Sequence, residues 1–87
     1  MTYEETLEVT KKLLRRHVPE DRTIEPTHHI QNDLELDSIG IMELVADVEE
    51  KFEVVIPNEM MDEMATVADV ARCLVKLKEA GVGRSEV

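Results

Sequence analysis

Aromatic side chains are almost missing from this sequence. Of 87 residues only Tyr3 and Phe52 are aromatic, and there is no tryptophan. A core must therefore be built from Leu, Val, Ile and Met, which suits packed helices. Cysteine is nearly missing as well: the single Cys73 excludes an internal disulfide framework and any metal site made of several thiolates. Bases are scarce, with ten Lys and Arg against twenty Asp and Glu, for a net charge of −10. Without a basic stripe to release counterions, nucleic acid is disfavoured as a partner, and so is an anionic membrane. No apolar run approaches transmembrane length, and the opening "MTYEETLEV" is acidic and lacks a signal-peptide core. A soluble, monomeric, cytoplasmic protein is expected. Its length suits one small domain, near the lower end of what buries an adequate core alone.

The pattern that is present is helical. Thr2 and Glu5 stand in capping-box register, and Tyr3, Leu7, Leu14 and Val18, widened by Leu13, mark one face until Pro19 forbids continuation. Residues 19–36 show no sustained period and include Pro26. A connection of this length in so small a domain is usually packed or functional. A second helix should run from about Ser38 to Phe52, with Ile41, Leu44, Val45, Val48 and Phe52 as a buried stripe. "EVVIP" has β-branched residues but no visible partner strand. A short helix capped by Asn58 could follow within "NEMMDEM". Thr66 and Asp69 open the last helix, whose core face is Val67, Val70, Ala71, Leu74 and Leu77, and Gly81 closes it. The expected fold is all-α, with three longer helices, one short helix and a long first loop over residues 1–80. Residues 81–87 read as a mobile tail.

The acids are concentrated. Residues 30–65 contain eleven acids and one base, and this segment carries the whole net charge. Opposite the buried stripe of the second helix, Ile39, Met42 and Ala46 form a small apolar strip surrounded by Glu43, Asp47, Glu49 and Glu50. Glu43 and Asp47 repel at i, i+4 by roughly 0.2–0.5 kcal/mol, and Glu49 and Glu50 oppose the helix dipole. Two readings fit: a docking face for a basic partner, or an acidic solvated face with incidental apolar residues.

Ser38, in "DLELDSIGIMELVADVEEKF", is open to three roles. As a helix cap it belongs to a favoured residue type. As a hydrolase nucleophile it lacks GxSxG surroundings and a credible base, since His17 ends the first helix and His28 and His29 lie in the loop. As an attachment point it sits where a helix N-terminus stabilises phosphate. Asp33, Glu35 and Asp37 begin like a calcium loop, but Ser38 and Leu44 stand where glycine and glutamate are required, so no metal is expected. Cys73 reads as a half-buried inert thiol. Met60, Met61 and Met64 read as core, or as the lining of an adaptable apolar pocket.

These residues together resemble the acyl carrier proteins. The resemblance covers about residues 2–80 and is most specific in "DLELDSIGIMELVADVEEKF", which is similar to the family's Asp-Ser-Leu motif and the acidic helix after it. "VVIP" before a short helix and "ATVADVARCLV" as the last helix support it in the right order. The resemblance implies a four-helix carrier without catalytic activity, holding acyl groups as thioesters on 4′-phosphopantetheine. Ser38 matches the serine that receives this group from coenzyme A, and Asp37 the acid that helps the phosphopantetheinyl transferase recognise it. Ile39, Met42, Glu43, Asp47, Glu49 and Glu50 match the surface offered to a ketosynthase, acyltransferase or other basic-surfaced enzyme of fatty-acid or polyketide-type biosynthesis. Ile56 and Met64 fall where members line an acyl cavity.

Ile39 replaces the usual leucine, and Gly40 stands where many members have a polar residue. Asp37 before the serine, without a double glycine, favours an acyl over a peptidyl carrier, and the short tail suggests a stand-alone protein. The alternative from another class is an acidic helical adaptor without a prosthetic group; a small serine hydrolase is a more distant third.

Overall fold

A computed structural model describes residues 2–80. It contains α1 (Tyr3–Leu14), α2 (Ser38–Phe52), α3 (Asn58–Met61) and α4 (Val67–Glu79), and no strand among the described residues. The all-α expectation is met, with three longer helices and a short one. The "EVVIP" segment is a connection that turns at Glu53, the left-handed C-cap of α2, with Val54 and Ile56 buried and Val55 facing out. Gly81 and the tail lie outside the described residues.

α4 is the core helix. Val67, Val70, Ala71, Leu74 and Leu77 are buried, as the sequence pattern required, and Cys73 joins them rather than lying half-buried at the edge. Burial, with Glu63 adding to it, pushes the Cys73 thiol above its ordinary value, so it is inert as expected. α1 packs most closely on α4 and more lightly on α2.

The face that α1 buries differs from the apolar pattern. Its centre is Thr6, Thr10 and Leu14, while Tyr3 and Leu7 are only half-buried. Each threonine hydroxyl donates to a carbonyl one turn back, Thr6 Oγ1 to Thr2 O and Thr10 Oγ1 to Thr6 O, both at 2.8 Å. A hydroxyl satisfied inside its own helix can be buried at little cost, and its methyl group packs as an apolar surface. The helix ends at Leu14, earlier than Pro19 demands. His17 N–H bonds to Leu14 O at 2.8 Å, tightening the chain into a turn.

The long first loop is packed. It sends Val18, Ile24, Ile30, Leu34 and Leu36 into the core. It also completes the start of α4. The first two amides of that helix, Val67 and Ala68, donate to His28 O at 3.1 Å and Pro26 O at 2.9 Å. The third, Asp69, donates to Thr66 Oγ1, and Val70 donates to Thr66 O. Every amide of the first turn thus has a partner, although the terminus lies under a loop. Ile30 N–H donates back to Ala65 O, and His29 and Thr66 form an isolated antiparallel bridge.

The short helix departs from its expected cap. Pro57 is the N-cap, Asn58 is already inside α3, and no side chain caps the turn. Proline's fixed φ, here −64°, sets the entry angle that a capping side chain would otherwise stabilise.

Both capping boxes are formed. Removal of the cap in Thr66→Ala is expected to cost about 1 kcal/mol in urea unfolding. Burial acts to raise the Asp69 carboxyl, but its bonds to Thr66 and Arg72 outweigh this and hold it below the usual carboxylate value. A depressed folded value means stability that is present above the unfolded value and lost as pH falls through the folded one. Melting curves should therefore show Asp69→Asn converging on wild type in acid below the normal carboxylate range, and separating from it near neutrality.

Candidate functional site

The start of α2 is set by three local devices. Arg22 donates to Asp33 O at 2.9 Å and pairs with Glu35 at 2.5 Å, clamping the chain just ahead of the helix. Glu35 takes a left-handed conformation, φ 58°, which turns the backbone there, and Leu36 N–H anchors to Ile30 O at 3.2 Å. Asp37 then caps the helix, its Oδ1 accepting from Gly40 N–H at 2.8 Å.

Asp37, and not Ser38, is therefore the cap. Ser38 is the first helical residue and is exposed, so its hydroxyl is not consumed in capping. Gly40 acquires a partial explanation. A Cβ there would stand 3.3 Å from the capping Asp37 oxygen and 3.5 Å from Leu36 Cγ, so the missing side chain lets cap and core residue close together.

Two exposed apolar side chains follow Ser38 on the outer face: Ile39 is 69% exposed and Met42 71%. Glu43 and Glu50 are exposed beside them. Asp47 and Glu49 are only half-buried and are bonded internally. Asp47 Oδ2 lies 3.1 Å from His17 Nε2 and 3.7 Å from Arg16, tying the end of α1 to α2. His17 Nδ1 also approaches Glu43 at 4.0 Å. Glu49 Oε2 accepts from Ile56 N–H at 2.8 Å, bridging α2 to the connection before α3.

Behind this face is a cavity of about 410 Å³. Ile30, Leu44 and Val70 form its buried floor, Ile41, Val45 and Met64 line it higher up, and the exposed Gln31, Met61 and Asp62 stand at its mouth. His29 is also part of the wall. Met64 falls on this cavity, whereas Ile56 is buried in the core and is not among the lining residues.

The family model for the phosphopantetheine attachment site matches residues 5–74. The chain belongs to the acyl carrier proteins. It is 36% identical over 67 residues to an acyl carrier protein of Streptomyces coelicolor, covering 74% of this chain and 73% of that one. It is 35% identical over 63 residues to a putative mitochondrial acyl carrier protein of Schizosaccharomyces pombe, covering 72% of this chain and 56% of that protein. The fold is similar to that of a mitochondrial acyl carrier protein of Toxoplasma, with a TM-score of 0.76 at 21% identity over 87% of this chain and 90% of that one.

The cofactor of this carrier is thus 4′-phosphopantetheine, attached covalently, and its role is to hold acyl groups. The start of α2 fits such a group: a primary hydroxyl is exposed at the first helical position, and the cap uses the Gly40 amide while those of Ser38 and Ile39 precede it. Among the described residues there is no cluster of side chains able to hold a metal, and no helix is long and apolar enough to cross a membrane. Carriers of this family work with a phosphopantetheinyl transferase and with biosynthetic enzymes, and are in general not catalysts themselves.

The different work done by neighbouring acids can be separated by mutation. Glu49→Ala leaves the Ile56 amide without its acceptor and is expected to lower stability by about 1–3 kcal/mol. Glu50→Ala, which touches no such bond, should stay within about 0.5 kcal/mol. Chemical denaturation of the two variants checks this.

Proposed function

We propose that Ser38 is the residue that carries the arm. The observation behind this is an exposed serine at the first position of α2, left unoccupied because Asp37 does the capping. Ser38 Oγ would form a phosphodiester bond to the phosphopantetheinyl phosphorus of coenzyme A as the pyrophosphate P–O bond breaks, adenosine 3′,5′-bisphosphate leaving and the serine proton passing to a base of the transferase. Asp37 would help the transferase recognise the site, its carboxylate being held in place by the Gly40 amide. The bound group supplies a thiol on a long arm, where acyl groups are carried as thioesters.

The carrier itself performs no chemistry in this reading. A serine nucleophile needs a base, and each histidine is engaged elsewhere: His17 with Asp47, His28 with the Glu25 amide, His29 with the Asn32 amide. The partner face is Ile39, Met42, Glu43 and Glu50, with Asp47 and Glu49 adding charge while they hold the helix in place. Such a face suits a ketosynthase, acyltransferase or similar enzyme with a basic surface, in fatty-acid or polyketide-type biosynthesis. Charge speeds the encounter, and a few apolar contacts allow release. The cavity beside α2 would shelter the acyl chain, with Met64 in its wall. Cytoplasm is the proposed compartment, although two of the matched proteins are described as mitochondrial.

Incubation with coenzyme A and a broad-specificity phosphopantetheinyl transferase should add one phosphopantetheine to the wild type, read by intact mass, and none to Ser38→Ala. Absence of addition to the wild type would sink the assignment in favour of an adaptor without a prosthetic group. With Glu43 and Glu50 both reversed to Lys, transfer from a partner enzyme should slow by about tenfold at low salt, and the deficit should shrink as salt screens the field. Circular dichroism of that variant should be nearly unchanged, since Glu43 has only the long 4.0 Å approach to His17 and both side chains are otherwise exposed.

A further inference from the structure

Just ahead of Ser38 the chain keeps a turn that its own residue does not favour. Glu35 is left-handed, φ 58°, a conformation that crowds a Cβ and that glycine adopts freely. Glu53 is left-handed too, but it is the C-cap of α2, where helices commonly end in this way. Glu35 ends none of the four helices. Its side chain is tied instead: Oε2 accepts from Arg22 Nη1 at 2.5 Å, and the same nitrogen donates to Asp33 O at 2.9 Å. Arg22 is itself held from both sides. Its N–H donates to Pro19 O at 3.0 Å, and its carbonyl accepts from Arg15 Nη1 at 2.8 Å, Arg15 being the C-cap of α1. The turn is thereby fastened to the end of α1.

Stability is a poor account of this pair. Its side chains are 38% and 67% exposed, and exposed ion pairs add little. Glycine at position 35 would make the same turn without crowding, but it would also be free to leave it. A glutamate fastened to Arg22 accepts some strain and keeps the turn in one conformation. That conformation leads straight to the reacting hydroxyl. Leu36 N–H rests on Ile30 O, Asp37 Oδ1 takes the Gly40 amide, and Ser38 follows as the first helical residue.

We infer that Arg22 and Glu35 are positioning residues for the transfer of phosphopantetheine to Ser38. They hold the approach to α2 in the conformation that presents the serine, so the transferase meets a pre-organised site. Without the clamp only a fraction of carriers present Ser38 correctly, and the apparent affinity falls by that fraction. Once docked, the serine is held by the transferase, so the loss falls on KM for the carrier and spares kcat. This rests on the assignment of Ser38 as the attachment residue, and it adds the residues that prepare it.

The test is steady-state transfer from coenzyme A to the full chain by a broad-specificity transferase, with carrier concentration varied and product read by intact mass. Arg22→Met and Glu35→Gly should each raise KM about threefold to tenfold, the span of one net hydrogen bond, and leave kcat within about twofold. Arg22→Lys should stay near the wild-type KM, because one nitrogen makes both bonds and an ammonium can replace it. The two damaging variants change net charge in opposite directions, so long-range attraction does not raise KM in both. Glu35→Gly should unfold at about the wild-type urea concentration, relief of crowding offsetting the lost pair. Hydrogen exchange at the Leu36 and Gly40 amides should be faster in both variants, a readout that needs no transferase. A wild-type KM in Glu35→Gly, or a fall in kcat at constant KM, overturns the clamp. So does a raised KM in Glu35→Gly beside a wild-type KM in Arg22→Met, which would mean that the carboxylate is read directly. Should Glu35→Gly unfold early, the contrast between Arg22→Met and Arg22→Lys decides alone. Failure to load the wild type counts against Ser38 as the attachment residue, whereas loading with an indifferent KM counts only against the clamp.

Discussion

The domain depends on the way its first loop closes the start of α4. A helix that starts under a loop has its first amides partly shielded from water, and each must find a partner. Thr66 serves two of them, through its side chain and its carbonyl. The other two are served by Pro26 and His28, from a segment with no regular structure of its own. The same short pairing brings Ile24, Ile30, Leu34 and Leu36 into the core, forms one wall of the cavity, and sets the place from which α2 departs. In a domain so poor in aromatic side chains, five buried aliphatic residues from a loop are a substantial part of the interior.

The charge on α2 is less costly than its one-dimensional pattern suggested. Asp47 and Glu43 repel along the helix, but His17 and Arg16 from the end of α1 stand against them. Glu49, unfavourable to the helix dipole, accepts an amide from the next connection. Acids that looked like one continuous surface thus divide by function. Two fasten α2 to its neighbours, and Glu43 and Glu50 stay exposed beside Ile39 and Met42. That division leaves an exposed face running along α2 from Ile39, next to Ser38, while the helix beneath it is tied to its neighbours.

The amphipathic stripes of α2 and α4, the two capping boxes, and the "DS" at a helix start were legible because they depend on residues three or four apart. The acyl carrier likeness was legible for the same reason. The buried threonines of α1 were not. Their burial depends on hydroxyls closing on their own helix and on a neighbour that packs there, and hydropathy scores neither. The cap of α2 belonged to Asp37 rather than Ser38, a difference of one residue that the two equally good capping types could not resolve. Pro57 displaced Asn58 in the same manner. The ties from His17 to Asp47 and from Glu49 to Ile56 join residues 30 and 7 positions apart, and no local pattern announces either.

By itself the sequence determined the helices, the two capping boxes, the acidic charge and the likeness to the family, since these are written in local spacing and composition. Only the tertiary structure decided which acids remain free, that the long loop completes the core helix, and that Arg22 fastens the turn before Ser38. Each of those is a hydrogen bond or a contact between segments far apart in the chain. Their formation depends on where packing brings the backbone, and spacing along the sequence carries no record of that.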